Sequence, residues 1–258
     1  MQAQPYTIVI PARYASQRLP GKPLQLLNGV PMILHTARRA AESSAETVVV
    51  ATDDERIASV CDKANLDVEM TRAEHPTGTD RIAEVATRRG WDADRIIVGL
   101  QGDEPATPAQ HLDVLASNLQ QHNDADMATL CMPIQSLDDY LDPNRVKVVR
   151  DHRDMALYFS RAPIPAQRQR LLGSNTIPLE VPDAWLHIGL YAYRCDFLLK
   201  YPALGACGLE SEEQLEQLRV LYRGGRIHCG GVEGSAVRGV DSPDDIPVLE
   251  EILRVPLP

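Results

Sequence analysis

The 258-residue chain carries 26 Lys and Arg against 36 Asp and Glu, and a formal net charge of -10 argues against a nucleic-acid backbone as its main partner. With 44% hydrophobic and 24% charged residues it reads as an ordinary globular protein, long enough to bury roughly 75% of its unfolded surface in one α/β unit or in a core with a smaller lobe. No apolar run approaches the roughly 20 residues of a membrane span, and no basic segment followed by an apolar core opens the sequence, so neither membrane insertion nor secretion is expected and the cytoplasm is the expected location.

Residues 7–10, Thr-Ile-Val-Ile, are an apolar β-branched run stopped by Pro11, the pattern of a buried strand emptying into a loop. That loop carries Arg13, Arg18 and Lys22, and the first acidic residue of the chain is Glu42. Such a reversal of sign in an acidic protein focuses positive potential where a polyanion can sit, and the end of a first strand is where α/β folds bind phosphates. A helix is expected from Pro31, then a strand over 47–52 ending in Asp53-Asp54, then a helix over 55–64 with Ile57, Val60 and Cys61 on one face. This rhythm predicts a parallel sheet covered on both faces. A short strand over 68–71 leads into a polar loop, 72–79, bracketed by Arg72 and Arg81. There Gly78 permits close backbone approach, and Thr79 is either the cap of a helix starting near Asp80 or a ligand contact.

The strand over 95–100 runs into Gln101-Gly102-Asp103-Glu104-Pro105, which puts Asp103 at the carboxyl end of a central strand, where open α/β sheets hold ligands. No Gly-x-Gly-x-x-Gly follows any strand, and Gly21-Lys22 lacks the spaced glycine of a P-loop, so a dinucleotide enzyme and a P-loop kinase are both disfavoured. After a strand over 127–132 the character changes, with a β-hairpin predicted across the turn at 151–154 and a proline-bearing loop over 163–182. Alternation along the strand from Trp185 to Arg194 places His187, Gly189, Tyr191 and Tyr193 on one face. One helix is predicted over about 210–222, and Ser242-Pro243-Asp244-Asp245 reads as a final helix start with Asp241 just outside it. Five cysteines (Cys61, Cys131, Cys195, Cys207, Cys229), odd in number and never in Cys-x-x-Cys spacing, read as reduced thiols.

The stretch Pro11 to Leu24 resembles the signature P-A-R-x-x-S-x-R-L-P-G-K-P-L of 3-deoxy-manno-octulosonate (Kdo) cytidylyltransferases. Further segments resemble that family's motifs in family order: Met70-Thr71-Arg72-Ala73, Thr77-Gly78-Thr79-Asp80-Arg81, Gln101-Gly102-Asp103-Glu104-Pro105, Tyr158-Phe159-Ser160-Arg161-Ala162, His187-Ile188-Gly189-Leu190-Tyr191, Leu215-Glu216-Gln217-Leu218-Arg219 and Gly239-Val240-Asp241-Ser242-Pro243. The resemblance covers essentially the whole chain. It implies a Rossmann-like α/β/α nucleotidyltransferase fold with a mainly parallel sheet, and a smaller β-rich subdomain at about 144–210 for sugar binding and dimerisation.

The implied reaction is Mg2+-dependent transfer of CMP from CTP to Kdo, giving CMP-Kdo and pyrophosphate for lipopolysaccharide biosynthesis. The resemblance assigns Pro11, Ala12, Arg13, Ser16, Arg18, Lys22, Arg72, Thr77, Gly78, Thr79, Asp80, Gln101 and Asp103 to the nucleotide. Lys22, Asp103 and Asp241 become the catalytic residues, with Asp103 and Asp241 as metal ligands. Gln101, Arg161, His187, Tyr191 and Gln217 are implied on the sugar side, with Glu210 a weaker candidate. A homodimer is implied as well. The segment near Ser211-Glu212 and the loop over 167–182 depart from the family pattern. A cytidylyltransferase for 8-amino-Kdo or a sialic acid, and a non-catalytic nucleotide-binding regulator, stay open as alternatives.

Overall fold

Strand β1 (Tyr6–Ala12) is buried along its whole length, and it lies parallel to β4 (Thr47–Thr52) on one side and β6 (Ile96–Gly99) on the other. The computed structural model describes residues 5–15, 19–168, 181–234, 239–240 and 242–254. These divide between two units, one built from 1–121, 190–203 and 237–258, the other from 122–189 and 204–236. The second unit is thus two chain segments, where the sequence suggested one stretch at about 144–210. No helix among the described residues is long and apolar enough to cross a membrane.

In the first unit β5 (Asp67–Met70) adds to β4 in parallel, and residues 191–194 of β10 (Trp185–Arg194) close the other side antiparallel to β6. A two-residue ladder of β2 (Leu26–Leu27) and β3 (Val30–Pro31) stands apart. Ile8, Val9, Ile10, Val49, Val50, Ile96, Ile97 and Val98 have no exposed surface. Strands covered on both faces need such continuous apolar runs, which is why they are not alternating in the sequence. Helix α1 (Met32–Ala41) buries Met32, Ile33, Thr36, Ala37 and Ala40, and α4 (Ala109–Gln121) buries Leu112, Leu115, Ala116 and Leu119, both at helical spacing. Helix α2 (Glu55–Lys63) is capped by Asp54, whose carboxylate accepts from the Arg56 N–H at 2.9 Å.

Helix α3 (Gly78–Arg89) starts two residues before the expected start at Asp80. Thr77 is the cap: its Oγ1 accepts from the Asp80 N–H at 3.2 Å and donates to Asp80 Oδ2 at 2.7 Å. Thr79 instead faces inward, its Oγ1 3.3 Å from the Tyr193 hydroxyl.

The second unit pairs β7 (Met127–Pro133) in parallel with β11 (Ile227–Gly231) and contains the expected hairpin, β8 (Lys147–Arg150) with β9 (Ala156–Ser160). Its turn is fixed by Asp151, whose Oδ1 accepts from the Arg153 and Met155 N–H groups at 2.8 and 2.9 Å. The small helix α5 (Leu137–Leu141) is capped by Ser136, and α6 (Cys195–Lys200) returns the chain to the first unit. The single helix predicted over 210–222 is two, α7 (Gly208–Glu213) and α8 (Gln217–Tyr222). Gln214 breaks it with φ of 53°, and the Glu213 carboxylate just before is held by Ser160 and the Arg161 N–H. In the last helix, α9 (Asp245–Ile252), Asp245 reaches back to the Ser242 N–H and hydroxyl at 2.7 and 3.0 Å, reversing the expected direction of capping.

Candidate active site

The carboxyl ends of β1 and β6 bring the first group of expected residues together. Gly102 donates its N–H to the Pro11 carbonyl at 3.3 Å, and its own carbonyl accepts from Thr36 Oγ1 at 3.1 Å, so the loop after β6 is tied to both β1 and α1. Lys22, after the short turn that follows β1, donates from Nζ to Asp103 Oδ2. The Lys22 side chain is 12% exposed and that of Asp103 36% exposed, so the pair stands at the edge of solvent. Val240 donates its N–H to the Asp103 carbonyl at 3.0 Å, bringing the residue before Asp241 to the same loop. Gly78, first in α3, packs directly on this group, since a Cβ there would come within 3.1 Å of Gln101 Oε1 and 3.3 Å of Pro11 Cγ. Pro11 and Ala12 are buried, whereas the Arg13 side chain projects from an exposed position.

Arg72 follows β5 and is exposed, its N–H donating to Glu84 Oε2 at 3.0 Å. Beside it lies a cleft of about 570 Å³ walled by Arg72, His75, Asp80, Glu84, Arg88 and Leu199, among others. Asp80 itself is 6% exposed and committed to Thr77. Tyr191 is half-buried, its ring 6.3 Å from that of Tyr193.

In the second unit, His187 Nε2 lies 2.9 Å from Thr129 Oγ1, which donates its own hydrogen to the Ile188 carbonyl at 3.0 Å. Thr129 therefore accepts from His187, and the proton of the neutral ring resides on Nε2. Desolvation pushes the imidazole down to about 3, so the ring is a neutral donor near pH 7 and no proton store. Gln217 is 4% exposed, and its Nε2 has no partner among the described residues. A buried donor left so costs about 1–3 kcal/mol, a penalty that a polar ligand would relieve.

Two expected sugar contacts are engaged elsewhere. Glu210 receives both Nε and Nη2 of Arg219 at 2.8 and 2.5 Å in a forked ion pair. Arg161 spends three of its N–H groups on carbonyls: Nε on Glu213 at 2.6 Å, Nη1 on Pro143 at 3.0 Å and Nη2 on Gln214 at 3.3 Å. Its own carbonyl accepts from Lys147, a fully buried lysine whose Nζ also donates to the Asp142 and Arg145 carbonyls. Ser16, Arg18 and Asp241, and residues 169–180 of the expected loop, lie outside the described residues. No group of three or more His, Cys, Asp or Glu side chains suited to a metal gathers among the described residues.

Sequence reasoning missed Glu84, His75 and Glu213. Glu84 follows Asp80 by one helical turn, a spacing that signals a shared face but not the loop it reaches.

A mainly parallel sheet whose strand ends deliver a lysine, a carboxylate and glycine-opened backbone to one mouth defines an α/β nucleotide-binding protein. The family model described as "Cytidylyltransferase" matches residues 7–227. A 3-deoxy-manno-octulosonate cytidylyltransferase of Thioalkalivibrio sulfidiphilus is 51% identical over 96% of this chain and 99% of its own. One from Alkalilimnicola ehrlichii is also 51% identical, over 96% of each. A solved CMP:2-keto-3-deoxy-manno-octonic acid synthetase complexed with CTP superimposes with a TM-score of 0.88 at 38% identity, covering 97% of this chain and 99% of that one. The chain belongs to the 3-deoxy-manno-octulosonate cytidylyltransferase family.

Proposed function

We propose that the protein transfers CMP from CTP to the anomeric 2-hydroxyl of Kdo, in the cytoplasm and for lipopolysaccharide biosynthesis. The observation that carries this reading is the Lys22–Asp103 pair at the strand-end mouth, in a chain matched end to end by relatives of that name. The sugar oxygen forms a bond to the α-phosphorus while the bond from that phosphorus to the bridging oxygen breaks, and pyrophosphate leaves. Little covalent work falls to the protein in such a transfer, so positioning and neutralisation of charge dominate.

Arg13, Arg18 and Lys22 bind the triphosphate, and Lys22 exchanges Asp103 for phosphate oxygens as CTP enters. The Pro11 and Ala12 backbone, Gly78, Gln101 and Arg72 frame the base, while Thr77, Thr79 and Asp80 hold the turn that presents Gly78. Asp103 offers hard carboxylate oxygens at a partly exposed position, which suits Mg2+. Together with Asp241, which follows the tethered Val240 in sequence, it would hold that ion. When bound, the ion neutralises charge on the α-phosphate and acidifies the sugar hydroxyl. His187, Tyr191 and Gln217 address the sugar by hydrogen bonding. Arg161, with three N–H groups already committed, contributes positive charge and at most two further donors.

The protein acts as a homodimer, which light scattering tests by reading twice the chain mass. Mass spectrometry of the products from CTP with Kdo, 8-amino-Kdo and a sialic acid tests the reaction itself. CMP-Kdo is the expected product; a sugar nucleotide formed only from another acid, or none, overturns the proposal.

A further inference from the structure

The loop between β5 and α3 begins at Arg72, proposed above to frame the base, yet apart from a local turn at Ala73-Glu74 residues 72–76 are tied to no strand or helix by a backbone hydrogen bond among the described residues. Its neighbours are anchored: the Thr71 N–H donates to the Thr52 carbonyl at 2.8 Å, and Thr77 caps α3. What holds the stretch between them is one side chain. Glu84 Oε2 accepts from the Arg72 N–H at 3.0 Å and from His75 Nε2. Glu84 Oε1 faces Arg88 Nη2, and Arg88 Nη1 donates to the carbonyl of Met70, the last residue of β5. The Glu84 and His75 side chains are 9% and 8% exposed, although both border the cleft beside Arg72. A carboxylate so placed accepts and cannot donate, so the His75 proton resides on Nε2 and the loop is gripped at both of its ends.

We infer that Glu84 is a positioning residue for nucleotide choice, holding the 72–77 loop so that Arg72 and the Gly78–Gln101 contact meet the base in one geometry. The inference rests on the reading that CTP is the nucleotide. Discrimination between cytosine and uracil depends on hydrogen-bonding groups that cannot turn or slide to suit the wrong edge. A loop whose backbone is tied to no strand or helix follows whatever base is present unless something else fixes it. Glu84 supplies that constraint from a rigid helix, one turn beyond Asp80.

The test measures kcat/KM for CTP and for UTP, each at saturating Kdo, in the parent protein and in Glu84→Gln, Glu84→Asp and His75→Gln. The ratio of the two values does not depend on the fraction of active enzyme, so a stability defect alone leaves it unmoved. We expect Glu84→Gln to lower the CTP/UTP ratio about tenfold or more, chiefly through the KM for CTP, with the KM for Kdo unchanged and Glu84→Asp intermediate. Parental ratios in folded Glu84→Gln and His75→Gln overturn the inference, even where melting temperatures fall. Should Glu84→Gln not fold, His75→Gln carries the same expectation and the same refutation. A parent protein that releases no pyrophosphate from CTP refutes the activity itself, a result distinct from an unmoved ratio.

Discussion

Val240 donates its N–H to the Asp103 carbonyl at 3.0 Å, and a Cβ on the neighbouring Gly239 would stand 2.9 Å from that same oxygen. Two backbones this close cannot be eased by rotating a side chain. Gly239→Ala must therefore push the segment leading to Asp241 away from the Asp103 loop. We expect about 1–3 kcal/mol of destabilisation and a fall in kcat of roughly 10-fold or more from misplacement alone. Thermal melting and steady-state turnover check both, and parental values in each would contradict the tether.

Asp103 faces Lys22 and holds the position proposed for the metal. Asp103→Asn keeps the shape but loses the charge, and it should cost on the order of 10² or more in kcat, the scale of one lost electrostatic contact to a transition state. Chelation of divalent ions should abolish turnover of the parent protein, with recovery on adding Mg2+. Near-normal turnover in Asp103→Asn would remove it from the catalytic group.

Arg161→Lys separates recognition from architecture. A lysine cannot reach the carbonyls of Glu213, Pro143 and Gln214 together, so the variant should lose about 2–3 kcal/mol of stability as well as raise the KM for Kdo. CTP affinity, read by calorimetry, should hardly change. A raised KM for Kdo without any loss in denaturant midpoint would mean that the guanidinium serves the sugar alone.

Acid should weaken the protein through its histidines. Desolvation lowers His187 to about 3, and desolvation together with the neighbouring His122 lowers His228 to about 4. Both rings titrate near 6.5 in the unfolded chain, which therefore binds more protons between these values. Their contribution is present in full above about pH 6.5 and is lost as pH falls toward 4 and 3, at up to about 1.4 kcal/mol per pH unit for each ring. Glu84 adds a lower window. Burial alone would raise its pKa, but hydrogen bonds from His75 and the Arg72 N–H, with the Arg88 charge, outweigh that and pull it to about 2. Its contribution holds above the ordinary glutamate value near 4.3 and fades as pH falls toward 2. Chemical denaturation from pH 7 to 5 should thus give falling midpoints, with a shallower slope in His228→Gln; equal slopes would contradict the assignment.

Strands β1, β4 and β6 were legible because each is a short β-branched run with a turn signal after it, whereas β11, Ile-His-Cys-Gly-Gly, lacks such a run and was missed; the mouth was legible because Pro11, Lys22, Gln101 and Asp103 all follow legible strands. Side-chain commitments were not. Nothing in the order of residues says that Glu213 takes the Arg161 N–H, or that Gln214 turns left-handed and splits one helix into two. Thr79 looked like the cap because it immediately precedes Asp80, but it packs inward toward Tyr193 and Thr77 takes the capping role. Local pattern fixes the period of an element, whereas tertiary partners decide where it starts and which polar groups remain for a ligand.

The most direct test of the account is 31P NMR of the purified protein mixed with CTP, Mg2+ and Kdo. The account predicts loss of the triphosphate resonances with matched growth of pyrophosphate and of one sugar-linked phosphodiester, dependent on Kdo and much slower with UTP. Bound CTP that stays intact with Kdo, 8-amino-Kdo and a sialic acid alike would contradict it.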